Sequence, residues 1–147
     1  MKTILLSACC FLWMHYGIAQ KPAPVKEKDK LLAGKTFAVE LVEKDAKKKA
    51  KPYSDEISFK GGKMHSNYMK AETKFLPASY EISVDALREN GAIAFVSESQ
   101  TADGEALTWE GITMPDGSAE GTVKLSKKGK IKKEYTFSGT LKTKIKK

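Results

Sequence analysis

The chain has only two cysteines, and both, Cys9 and Cys10, stand in its apolar first segment. If that segment is removed on export, no thiol remains. Disulfides, a thiolate nucleophile, a zinc–thiolate centre and c-type haem attachment are then excluded. Stability must come from packing and sheet hydrogen bonds. Histidine is as scarce, since His65 is the only one after residue 19. With no Asp or His partner nearby in sequence, it reads as an outward strand residue rather than a base or metal ligand. Arg88 is the sole arginine, and no aromatics interleave the lysines, which argues against nucleic acid as a partner. No pair of carboxylates has the spacing or apolar setting for general acid–base work, so the sequence does not read as an enzyme. No cofactor or metal is implied.

The N-terminus carries an export pattern. Met1-Lys2-Thr3 is a short basic start, Ile4 to Tyr16 is an apolar run, and Gly17-Ile18-Ala19 offers small residues to a signal peptidase. Residues 1–19 are expected to be a secretory signal cleaved after Ala19, sending the protein to the periplasm or outside the cell. The run falls short of the roughly 20 apolar residues a membrane-spanning helix needs. Leu6-Ser7-Ala8-Cys9 offers a lipoprotein alternative with Cys9 as the modified residue. That reading leaves about five apolar residues where seven to fifteen are usual. Residues 20–31 follow as a polar linker, with KPAPVKEKDK mixing two prolines and alternating charges. Residues 32–147 form the domain, a length that suits one hydrophobic core.

Within the domain, apolar residues alternate with polar ones in eight short runs. They centre on Phe37/Val39/Leu41, Ile57/Phe59, Met64/Ser66/Tyr68, Tyr80/Ile82/Val84, Ile93/Phe95/Ser97, Leu107/Trp109/Gly111, Ala119/Gly121/Val123/Leu125 and Ile131/Tyr135/Phe137/Gly139/Leu141/Ile145. Gly61-Gly62 is a two-residue hairpin signal that sets Phe59 opposite Met64 and Ile57 opposite Ser66. Ala102-Asp103-Gly104, Pro115-Asp116-Gly117 and Lys127-Lys128-Gly129 each end a three-residue loop on glycine, which supplies the left-handed residue without a Cβ clash. Those loops pair Trp109 with Ser97 and Val123, Gly111 with Phe95 and Gly121, and Gly121 with Tyr135. All are odd-numbered, so all face one side. Helical periodicity is absent after residue 20, with Ser83 to Asn90 the one stretch that could form a turn of helix. A long meander with one apolar face and no helix to cover it closes on itself. The expected fold is all-β: an eight-stranded antiparallel up-and-down meander closed into a barrel, with a two-sheet sandwich as the alternative.

At Leu32-Ala33-Gly34-Lys35-Thr36-Phe37 the chain resembles the first strand of lipocalins and their calycin relatives, in which a Gly-x-Trp motif opens the barrel. Strand number and meander order are similar to theirs as well, over roughly Leu31 to Ile145. The resemblance implies a lipocalin-like barrel whose open mouth admits a small apolar ligand.

Two surfaces follow as candidates. Tyr68, Tyr80, Phe95, Trp109 and Tyr135 share the inward face, where they either line a ligand pocket or fill the interior. Gly111 and Gly121 lie beside them, leaving cavity volume or lying under an aromatic ring at a barrel bend. The formal charge of +8 is concentrated in Lys44–Lys51 and in lysines from Lys124 to Lys147. This outward set suits anionic glycans or lipid headgroups, or serves only as a solvated surface that discourages sheet aggregation. Glu81, Glu98, Glu110, Glu120 and Glu134 read as outward solubilising residues.

Overall fold

The computed structural model describes residues 30–45, 51–83 and 91–143. The expected signal and most of the linker, the lysines at 47–49, the possible helical turn at 84–90 and Ile145 lie outside the described residues.

Eight strands form one closed antiparallel barrel in sequence order: β1 (Thr36–Glu43), β2 (Tyr53–Lys60), β3 (Lys63–Ser66), β4 (Ala78–Ile82), β5 (Ile93–Gln100), β6 (Glu105–Thr113), β7 (Ser118–Lys127) and β8 (Lys130–Leu141). Seven residue pairs between β8 and β1 close it, with Phe37 opposite Leu141 and Leu41 opposite Phe137. Each strand forms for the reason its alternation suggests. In β1, Phe37, Val39 and Leu41 are buried while Ala38, Glu40 and Val42 face solvent.

The turns explain the register. Gly61 and Gly62 both have positive φ, and Lys60 pairs with Lys63 across them. In the next two loops the amides of Thr101 and Met114 donate to the carbonyls of Glu105 and Ser118, both at 2.9 Å. Gly104 and Gly117 occupy the left-handed position there, so both loops have three residues. The last hairpin differs from the sequence reading. Lys127 pairs with Lys130, so the loop is the two-residue Lys128-Gly129, with both residues at positive φ. Alone, that loop would turn β8 inside out, because a one-residue change exchanges the two faces of a strand. A bulge restores parity: Ser126 pairs with Ile131 but Leu125 pairs with Lys133, leaving Lys132 as the extra residue. Gly121 consequently faces Phe137 rather than Tyr135, and Val123 faces Tyr135. Ile131 moves from the expected inner set to the outside, 58% exposed.

A second difference is a short helix, α1 (Asn67–Glu72), where alternation predicted that β3 would run on through Tyr68. Ser66 ends the strand and caps the helix, its hydroxyl accepting from the Met69 amide at 3.0 Å. Met69, buried on α1, is the helix's main anchor in the core. Six residues are too few for helical periodicity to show in sequence.

The interior is packed with rings. Phe37, Phe59, Phe95 and Phe137 are all less than 2% or about 2% exposed. Edge-on contacts join Phe59 to Phe37, Tyr80 and Phe95, with centroids at 6.2, 4.8 and 5.0 Å. Phe137 continues the chain of rings to Phe95 and Trp109. One barrel end, where β1 begins, is stopped by Leu32 in the turn before that strand. Leu32 is fully buried, and the Gly34 amide ties its turn to the Phe59 carbonyl at 2.7 Å.

Candidate functional site

The opposite end of the barrel, where β2 begins, brings together three tyrosines and a buried aspartate. Tyr53, Asp55, Ile57 and Phe59 hold inward positions on β2. Tyr53 sits between Tyr68 of α1 and Tyr135 of β8, with centroids at 5.0 and 6.4 Å. Desolvation, then mutual proximity to the other tyrosines, pushes the Tyr68 phenol above its ordinary pKa. Tyr135 is raised by desolvation and by Glu43. Both are protonated at neutral pH and offer hydroxyls rather than phenolates.

Asp55 is 7% exposed, unusually buried for an aspartate. Its carboxylate accepts from the Ser66 hydroxyl at 2.6 Å, the Tyr68 amide at 2.8 Å and the Glu56 amide at 2.7 Å. Two of these donors belong to the cap and first turn of α1, where a negative group meets otherwise unpartnered amides. Asp55 therefore holds the helix across the barrel end. Sequence reasoning missed both Tyr53 and Asp55. The signal was their parity with Ile57 and Phe59, which placed a carboxylate in an inward register.

The five inward aromatics do not converge on one cavity. Tyr80 and Phe95 pack on Phe59 in mid-barrel, Trp109 packs on Phe137, and Tyr68 and Tyr135 flank Tyr53 at the end. Near them is a recess of about 80 Å³, lined by Met64, Met69, Phe75, Ser97, Leu107 and Trp109 among others. It lies at the weakest seam of the barrel, since β3 and β4 share only two residue pairs. Ser97 stitches the adjacent edge by donating its hydroxyl to the Ser79 carbonyl at 3.0 Å. Sites for drug-sized ligands usually run to about 300–1,000 Å³. This recess holds far less while α1 is in place.

Glycines shape the wall. A Cβ on Gly111 would fall 2.5 Å from the Phe95 ring and 2.7 Å from that of Phe137, and one on Gly121 would collide with the Glu110 carbonyl. Rings thus lie over the strand glycines, with Phe137 in the place expected for Tyr135. On the outer face, β6, β7, β8 and β1 form an open groove of about 510 Å³ lined by Glu40, Val42, Ile112, Glu120, Thr136 and Ser138 among others.

Four of the described lysines are held in ion pairs. Lys44, Lys124, Lys127 and Lys142 pair with Glu134, Glu110, Glu105 and Glu56. Their partners lower the pKa of Glu134 and raise those of Lys124 and Lys127, chiefly through the hydrogen bond in each pair. Lys128, Lys130, Lys132 and Lys133, all exposed on the β7–β8 hairpin, make no salt bridge among the described residues. Ile131 stands among them. His65 is half-buried on β3 opposite Ser58, and no group of three His, Cys, Asp or Glu side chains suited to a metal occurs among the described residues.

No protein-family model matches the chain, and no curated protein or solved structure does.

Proposed function

We propose that this is an exported, lipocalin-like barrel that acts through its lysine-rich outer surface on anionic polymers or membranes, with its interior given over to packing. The observation that carries the reading is the contrast between the ring-filled interior and the four unpaired lysines on one hairpin. Exposed ion pairs contribute little, but clustered free cations create a field that steers and holds anionic partners. The test is retention on a sulfated-polysaccharide column. The protein should elute only with added salt, and Lys128→Glu with Lys133→Glu should elute at clearly lower salt. Elution of both proteins at the same salt would sink the proposal.

A second reading keeps the ligand carrier, on the strength of the recess beneath α1. Movement of α1 away from the recess would enlarge it enough for a small apolar or amphipathic molecule. Trp109 is the only tryptophan outside the expected signal, so its fluorescence reports occupancy. A medium-chain fatty acid should shift that emission saturably, and an unchanged spectrum at millimolar ligand counts against the carrier.

A further inference from the structure

We propose that the tip of the β7–β8 hairpin is a wedge for an anionic lipid bilayer, with Ile131 entering the headgroup layer and Lys128, Lys130, Lys132 and Lys133 seated on anionic headgroups. This rests on the surface-binding reading above and narrows its partner to lipid.

The argument starts with the bulge. Were Lys132 paired in the ladder instead of left out as an extra residue, the two-residue turn at Lys128-Gly129 would leave Tyr135 and Phe137 on the wrong face. The combination of turn and bulge rescues those rings and puts Ile131 on the outer side, opposite Ser126. There its side chain is 58% exposed and lies outside the hydrophobic core cluster. The core therefore does not account for a branched apolar residue at this position.

Charge supplies the partner. From Ser126 to Lys133 the sequence SKKGKIKK contains five lysines and no acid, and only Lys127 is tied to a carboxylate, that of Glu105 at 3.1 Å. A soluble polyanion would use the lysines and gain nothing from Ile131. A bilayer uses both, because anionic headgroups attract the ammonium groups while the interface buries the aliphatic side chain. Lysine is suited to this position, since its aliphatic stem can lie along the interface with the charge in water. The placement is also mechanical. The hairpin leaves the barrel at the end where β2 begins, and its turn is held to the neighbouring β5–β6 loop by the Lys128 amide on the Gly104 carbonyl at 3.0 Å. A supported tip can insert without unfolding.

The test is co-sedimentation of the purified protein with vesicles of equal parts phosphatidylglycerol and phosphatidylcholine, against vesicles of phosphatidylcholine alone. Retention on the sulfated-polysaccharide column is measured in parallel. The expected result is binding to the anionic vesicles only. Replacing any one of the four lysines by glutamine should weaken it about fivefold. Ile131→Ser should weaken vesicle binding about tenfold while leaving elution from the column unchanged. Because Ile131 is exposed, circular dichroism should show the same unfolding midpoint for Ile131→Ser as for the unaltered protein. If Ile131→Ser binds vesicles as well as the unaltered protein does, the wedge is wrong. Column binding without vesicle binding overturns the lipid partner and leaves the broader reading standing. Loss of both overturns the two together.

Discussion

Gly121 shows how much of this barrel rests on the absence of a side chain. Its neighbours within Cβ reach are the Glu110 carbonyl, the Gly111 Cα at 2.6 Å and the Phe137 ring at 2.7 Å, and two of these are backbone. A flexible side chain could swing aside, but a strand paired on both edges cannot. Gly121→Val should therefore cost about 1–3 kcal/mol by overpacking, read as a lower denaturant midpoint with an unchanged slope. A variant as stable as the original would mean that β6 and β7 are not held this close. Asp55 is the other telling residue. Its three short hydrogen bonds make a buried carboxylate tolerable, and they spend it on the first turn of α1.

At the scale of the element, the β7–β8 hairpin combines two irregularities that cancel. The shorter loop shifts parity by one and the bulge at Lys132 shifts it back. Deleting Lys132 should then be tolerated, because Lys133 would follow Ile131 directly and every other pair of the ladder would survive. The expected outcome is a folded protein whose Trp109 near-ultraviolet dichroism is unchanged. Loss of that signal would show that the bulge bends β8 in a way the barrel needs. The seam between β3 and β4 has the opposite character. With two residue pairs and a helix in place of a continued strand, it is where the wall is thinnest.

At the scale of the whole molecule, the tyrosine-lined end sets an alkaline limit on the fold. The Tyr68 and Tyr135 phenols have folded-state pKa values raised above the ordinary value of 10.0. The folded protein holds those protons more tightly than the unfolded chain does. The associated stability is complete below pH 10 and is lost as pH rises through the raised folded values. The unfolding temperature should be level from pH 7 to about 9.5 and fall above pH 10. Lys124 and Lys127, raised by their glutamate partners, contribute in the same direction, so Tyr135→Phe is the control that isolates the phenol. A midpoint that falls equally steeply in that variant would remove Tyr135 from the account.

Alternation and turn chemistry act between neighbours in sequence, so the eight strands, the Gly61-Gly62 turn, two of the three glycine-ended loops and the inward face of Phe95, Trp109 and Phe137 were legible in the residues themselves. Three features were not, because each depends on groups brought together from distant positions. The helix at Asn67–Glu72 is held by Asp55, on another strand, which accepts from the Tyr68 amide and the Ser66 hydroxyl. The bulge that exposes Ile131 exists because Tyr135 and Phe137 must face a core built by other strands. That Phe59, Phe95 and Phe137, from three different strands, would meet in the interior depended on the closure of the barrel. Local sequence determined which face each ring would take, and only closure of the barrel decided that the rings would touch.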